Sequence, residues 1–477
     1  MEKKAPDIQP GKQKIMNLSQ YKNVLTISLP LVLSMGAITV MEFTDRVFLG
    51  NYDLNALAAA TPAGITSFLF TAFFLGVAGY VNVFIAQYTG AKDLAGVGAS
   101  LWQGIYFALG GSLFMALLSF FSVSLFSLIG HAPAIQALEV IYFRILCLGT
   151  GASLLSATLS TFFTGRGLTR TVMGINMAGT LFNIPLDYAL INGAWGFPEM
   201  GIQGAALATV AAWIFMATAF IFLVFTRDNN HKFHLWEKRQ FIPSLFMRLM
   251  KFGIPGGVQF FLDILVFTFF ILMVGRLGRD ELAVTNMVMS INGLSYMPMF
   301  GFSMGVSTLV GQAMGAGKPK EAEAAARTTS HIALIYLAFL ILLFLLIPEP
   351  LIRLFLPQNN GMNMAPLIDM GIVLLRFVAL YLFFDSLVII YTGVLKGAGD
   401  SQYVMWCMVV TGTLFLFLPV WAGITFWHMG LYFIWSCITL YLVILFFLVM
   451  VRYYGGKWKA MSVIEDPLPK VPAQVPL

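Results

Sequence analysis

Residues 29–50 read LPLVLSMGAITVMEFTDRVFLG, and residues 254–275 read IPGGVQFFLDILVFTFFILMVG. The two stretches align without a gap, 225 residues apart, so that Leu29-Pro30 recurs as Ile254-Pro255 and Gly50 as Gly275. The same offset carries Leu57-Ala58 onto Leu282-Ala283, Gln87 onto Gln312, and Gly90-Ala91 onto Gly315-Ala316. Further on the register slips slightly. Gly165-x-Gly167 matches Gly397-x-Gly399, and Gly179-Thr180-Leu181-Phe182 matches Gly412-Thr413-Leu414-Phe415. Small loop insertions account for the slip. Ala205-Ala206-Leu207-Ala208-Thr209 has no good copy. A duplicated apolar half is a common construction of secondary transporters, whose substrate site lies between the repeats.

The composition agrees with a membrane solvent. The chain of 477 residues is 59% hydrophobic and 10% charged, where a soluble domain carries about 25% charged residues. Stretches of roughly 20 apolar residues span a bilayer. Twelve such spans are expected, near 24–47, 57–88, 99–126, 136–160, 171–192 and 203–225, then 249–275, 282–313, 327–348, 366–393, 403–424 and 429–452. The expected fold is an all-α integral membrane protein of two six-helix repeats. Its parts are a tail (1–21), a first half (22–225), a connector (226–248), a second half (249–455) and a second tail (456–477). An even number of spans per half gives two halves of like orientation, related by an axis along the membrane normal.

Lys and Arg set the orientation. With the N-terminus inside, only Arg276, Arg279 and Arg353 fall in outside loops, while Arg46, Arg144 and Arg376 lie in or at the ends of spans. The remaining basic residues collect inside, so both termini are expected to be cytoplasmic. The net charge of +6 is then a topology signal. Nucleic acid is not an expected partner, because no basic stripe with interleaved aromatics exists. In the connector, Trp236 and Phe241 among basic residues fit an interfacial amphipathic stretch or a solvated linker equally.

Enzyme chemistry finds little support. Cys147, Cys407 and Cys437 all fall in spans without metal spacing, and no His-x-x-x-His motif occurs. The first apolar run lacks a small-residue cleavage site and reads as a helix, not a leader. No cofactor is expected.

Ionisable residues within spans are costly and mark ion or substrate pathways. The candidates are Glu42 and Asp45 in the first span, Asp187 in the fifth, Asp263 in the seventh and Asp385 in the tenth. Asp263 maps onto Ile38 of the first half, and Asp45 lies two turns beyond it, about 10 Å along the helix axis. The two acids are therefore not copies. Asn183 and Asp187 stand four apart on one face, with Pro185 between them and unable to donate to the Leu181 carbonyl. That set suits Na⁺ or a proton alike. Tyr381 and Asp385 repeat the spacing, with the phenol able to donate to the carboxylate or its ring to face a cation. Some of the 26 Met and 44 Phe are expected to line an adaptable cavity.

LPLVLSMGAITVMEFTDRVFLG, GIPGGVQFFLD, VLKGAGDSQ and GTLFNIPLDYALING followed by GIQGAALAT resemble the multidrug and toxic compound extrusion (MATE) transporters, over about residues 22–455. The resemblance implies a V-shaped pair of six-helix lobes around a central cavity. It implies export of organic cations and other amphipathic drugs in exchange for Na⁺ or H⁺. It matches Asp45 to the family's first-helix acid. In one branch it matches Asn183, Asp187, Thr209 and the Ala205 carbonyl to a first-lobe cation site. In the NorM-like branch it matches Asp263, where Glu is usual, Tyr381 and Asp385 to a second-lobe site. Na⁺ at Asp187 or Asp385 is thus implied, in a monomeric multi-pass protein of the bacterial inner membrane. A lipid-linked precursor flippase of the same superfamily is the alternative within transport, and a membrane-embedded enzyme the alternative outside it.

Overall fold

The computed structural model describes residues 18–355 and 364–464, and no strand occurs among the described residues. The first repeat comprises α1 (Leu18–Tyr52), α2 (Leu54–Ala91), α3 (Leu94–Ser119), α4 (Pro133–Thr164), α5 (Thr169–Asn192) and α6 (Ile202–Val224). The second comprises α7 (Pro243–Gly275), α8 (Arg279–Gly315), α9 (Pro319–Leu346), α10 (Ala365–Ala398), α11 (Ser401–Trp427) and α12 (Leu431–Tyr454). Ten of these are long and apolar enough to cross a membrane. The other two are α5 and α8. Arg170, Asn176, Asn183 and Asp187 lower the hydropathy of α5, and Arg279, Asp280, Glu281 and Asn292 that of α8.

The corners follow from local chemistry. Asp53 alone separates α1 from α2, and its carboxylate accepts from the Asn55 and Ala56 amides at 3.1 and 3.3 Å, satisfying two orphan donors of α2. Pro133, Pro243 and Pro319 open α4, α7 and α9, where a missing N–H costs nothing. Gly167 and Gly399, copies of one another, turn the corners after α4 and α10 at φ +81° and +107°, a conformation that disfavours a side chain. The third span differs from expectation. It tightens at Phe120 and Phe121, whose amides bond back to Leu117 and Leu118, and a separate short helix (Ser122–Ile129) follows.

The connector is anchored. Phe233 and Leu235 are buried, and Trp102 Nε1 donates to the Leu235 carbonyl at 2.7 Å. Trp236 and Phe241 stay half-exposed beside Phe225 and Tyr106. The Arg166 guanidinium lies 4.3 Å from the Phe162 ring centre and 4.5 Å from that of Phe233. Arg166→Ala is expected to lower stability by about 1–2 kcal/mol, read as a lower melting temperature in detergent.

The halves meet along a seam that repeats the duplication. A Cβ built on Gly76 of α2 would lie 2.7 Å from the Gly257 Cα of α7, and one on Gly301 of α8 would lie 2.6 Å from Val32 Cγ2 of α1. These are the same crossing made twice. Between them α2 and α8 cross: Gly90 backs onto the Gln312 carbonyl and Gly315 onto the Gln87 carbonyl. Gln87 Nε2 donates to Gly397 O at 3.0 Å, and its copy Gln312 donates to Gly165 O at 2.8 Å. Each glutamine thus holds the copy of the glycine that its partner glutamine holds. Asn82 Nδ2 donates to Thr308 Oγ1 at 3.0 Å nearby.

All these contacts fall in the first halves of α1 and α7 and the second halves of α2 and α8, on the face where α1 begins and α12 ends. Along α1, Ser28 and Val32 pack on α8, and the same helix face continues through Met35, Thr39, Glu42 and Arg46. Glu42 and Arg46 are exposed. The halves therefore part toward the far face and enclose an open cleft.

Candidate functional site

The first-half cluster assembles from three helices. Asp45 comes from α1, Asn183 and Asp187 from α5, and Thr209 with the Ala205 carbonyl from α6. Asn183, Asp187 and Ala205 are fully buried, and Asp45 and Thr209 nearly so. Small residues bring the helices together. A Cβ on Gly179 of α5 would run into Met216 of α6, and Thr180 Oγ1 donates to Ala37 O of α1 at 3.1 Å. Thr209 Oγ1 lies 3.1 Å from Asp45 Oδ2 and 3.1 Å from Ala205 O. One hydroxyl proton serves only one of them at a time. The Asp187 and Asp45 carboxyls stand in each other's field.

What this cluster lacks is partners. Both Asp187 oxygens, Asp45 Oδ1 and both Asn183 side-chain atoms are buried without a hydrogen bond in the structure. Buried polar groups are normally satisfied, and apposed carboxylates repel unless a proton or cation lies between them. The donor set is all oxygen apart from one amide nitrogen, which suits a hard cation. The residues therefore fit Na⁺ or a shared proton. Tyr142 of α4 also stands in the field of Asp45 and Asp187. A lone tyrosine in an apolar span gives no sequence signal, and its position was not foreseen.

The second-half cluster is built differently. Asp263 of α7 and Asp385 of α10 feel each other electrostatically, with Tyr296 and Tyr441 nearby. The Lys396 ammonium lies in the field of Asp263. Sequence reasoning grouped Lys396 with the basic residues of the inner loops, yet it sits half-buried in the last turn of α10. The signal was present. Eleven residues is close to three turns, so Lys396 shares a face with Asp385. Its side chain leans back toward the helix N-terminus and so toward the acids.

The same lean bears on the first of the two readings of Tyr381, donation to Asp385. The phenol does not donate to Asp385 among the described hydrogen bonds. Its ring lies 6.4 Å from that of Trp435 on α12. Tyr381 is buried, in the field of Asp385.

Above the seam the cleft floor is aromatic. The rings of Phe68 and Phe260 are 6.1 Å apart, those of Phe260 and Phe300 5.9 Å, and those of Phe300 and Tyr296 6.0 Å. The last two pairs are inclined by only 25° and 21°. The repeat copies of Phe68, Phe260, Phe300 and Tyr296 are Gly293, Met35, Leu75 and Thr71. The fold itself does not require this row, since its copy lacks it.

The profile of the MatE family matches residues 30–189 and 255–420, one match in each half. The chain belongs to the MatE family. It is 29% identical over 396 residues to the multidrug resistance protein PmpM of Pseudomonas aeruginosa, covering 81% of this chain and 80% of PmpM. It is 24% identical to a probable multidrug resistance protein NorM of Thermotoga maritima, covering 93% and 94%. Among solved structures, the eukaryotic MATE transporter AtDTX14 superposes with a TM-score of 0.80 at 19% identity, over 93% of this chain and 97% of AtDTX14. A multidrug resistance MATE transporter in an outward-facing conformation gives 0.82 at 17%, over 92% and 97%. The chain is thus a multi-pass membrane transporter of the MATE fold, not an enzyme.

Proposed function

We propose that this MATE transporter exports amphipathic organic cations from the cytoplasm, across a bacterial inner membrane, in exchange for H⁺ or Na⁺. The observation that carries the coupling is the apposition of Asp45 and Asp187 beside Asn183 and Thr209, with both Asp187 oxygens and Asp45 Oδ1 unpartnered. We assign the exchanged ion to this first-half cluster. In the second half the Lys396 ammonium already offsets part of the Asp263 charge, which favours the first-half cluster as the ion site. The seam face is the cytoplasmic one, by the distribution of Lys and Arg. The cleft is built wholly within one chain, which supports a monomer as the working unit. The names of PmpM and the NorM relatives support multidrug export.

Ion entry from outside relieves the Asp45–Asp187 repulsion. To drive export, the ion and the drug must each prefer a different conformation of the two halves. The aromatic floor favours a planar cation, through stacking and ring–charge attraction. Phe300→Ala is expected to weaken ethidium export about twofold to thirtyfold, from roughly 0.5–2 kcal/mol. Tetraethylammonium export should fall less, and paired initial rates check this. A flippase for polyphosphate lipids needs several arginines in the cleft. Arg144 is instead bound to Ser122 at 2.7 Å, at the outer end of the first half.

The test uses purified protein in liposomes, with ethidium as the cargo and the membrane potential clamped. A Na⁺ gradient alone and a pH gradient alone are imposed in turn. Movement under either one, lost in Asp187→Asn, agrees with the proposal. No movement under both removes it.

A further inference from the structure

The stretch after α12 does more than end the chain. Gly456 turns it back at φ +70°, and Lys457–Ala460 forms a single tight turn. Trp458 is fully buried, donates to the Tyr453 carbonyl at 2.9 Å and stacks on the Tyr453 ring at 5.5 Å. Lys459 reaches Glu323 of α9 at 3.1 Å. Up to this point the stretch belongs to the second half.

It then crosses the seam. The Val463 amide donates to Gln87 Oε1 at 3.0 Å, and Ser462 Oγ lies 3.3 Å from the same oxygen. Val463 is fully buried and Ile464 nearly so, within a cluster that includes Tyr80, Phe84, Phe162 and Phe163 of the first half. Gln87 is also the residue whose amide N–H holds Gly397. One side chain therefore ties the two halves and the crossing stretch together.

The repeat argues that this is an addition to the seam. Gln312, the copy of Gln87, holds Gly165, and no bond to its Oε1 occurs among the described residues. The stretch that follows α6 behaves differently from the one after α12. It packs Phe233 and Leu235 into its own half, with Gly98 against the Phe233 carbonyl. A fold requirement would be met in both copies; this one is met once.

We propose that residues 457–464 are an intramolecular clasp. Their docking on the first half holds the cytoplasmic seam shut, and they undock each time the cleft opens inward. This goes beyond the export reading, because opening of the seam is read by distance as well as by transport.

The test places spin labels at Arg170→Cys and Gln402→Cys, exposed repeat partners on the seam face of α5 and α11. Cys147, Cys407 and Cys437 are buried, so labelling goes to the introduced pair. In otherwise unaltered protein the pair should report one short distance. Val463→Asp, with a carboxylate in an apolar pocket, should raise the long-distance population about tenfold, and Val463→Ala should do so less. An unchanged distribution in both variants overturns the proposal.

A second variant keeps the question open to refutation if Val463→Asp fails to fold. Gln87→Cys with Ser462→Cys, bridged by a short reducible bis-thiosulfonate, should stop ethidium export. Reduction should restore it. Export at the reduced rate while bridged means the clasp never needs to undock, and the proposal fails.

Discussion

Asp187→Asn is expected to abolish ion-coupled export while the protein still inserts and folds. The substitution keeps the shape of the side chain, so α5 and α6 keep their packing around Asn183 and Thr209. It removes one of two apposed charges. Asp45 then retains its Thr209 contact at 3.1 Å but faces a neutral amide, and no proton or cation is needed to relieve repulsion. Hydrogen bonds to charged groups are worth about 1.5–3 kcal/mol, so the ion should bind roughly tenfold to 150-fold more weakly. Initial export rates in liposomes measure this, against equal amounts of folded protein. A residual rate above half that of the parent protein would take Asp187 out of the coupling. Asp45→Asn should also lose export, and the double variant should be little worse than either single, because the pair acts as one unit.

The second large effect is expected at the crossing of α2 and α8. A Cβ on Gly315 would stand 1.9 Å from the Gln87 carbonyl oxygen, and one on Gly90 would stand 2.0 Å from that of Gln312. Both obstacles are backbone, so no side chain can swing aside. The helices must move apart, and Gln87–Gly397, Gln312–Gly165 and Asn82–Thr308 lengthen together. Overpacking of this kind costs about 1–3 kcal/mol, and each buried hydrogen bond lost adds about 1 kcal/mol. Gly315→Ala should therefore lower the melting temperature by several degrees and lengthen the distance between labels at positions 170 and 402. Gly90→Ala should match it, since the contact is the same one copied. A Gly315→Ala protein with parental melting and parental label distance would show that the seam tolerates separation.

These two sites were legible in the sequence to different degrees. The spacing of Asn183 and Asp187 puts them on one helix face, and that much is local geometry. Their meeting with Asp45 and Thr209 joins residues 164 apart, and residue types alone did not bring Thr209 or Ala205 forward; the family resemblance did. Tyr142 carried no signal at all. Lys396 carried one, at three turns from Asp385, but a lysine near a basic loop reads first as topology. No Tyr381–Asp385 hydrogen bond occurs among the described residues, because spacing gives the face of a helix and not the lean of a long side chain along it. Residues 456–464, expected within a polar tail, carry Trp458, Val463 and Ile464, three apolar residues too few and too scattered to form a periodic pattern.

The duplication shows the same division. Sequence alone determined that there are two similar six-helix halves, and that Gln87 and Gly90 recur as Gln312 and Gly315. Helical period, apolar length and internal repetition are properties of neighbouring residues or of the chain compared with itself. Only the tertiary structure decided that each glutamine reaches across to the other half, that each glycine lies beneath the backbone carbonyl of the other half's glutamine, and that the stretch after α12 closes over Gln87. Gln87 and Gly397 are 310 residues apart. What selects that pairing is the packing of whole helices, where a missing Cβ permits the close approach that a buried amide then holds.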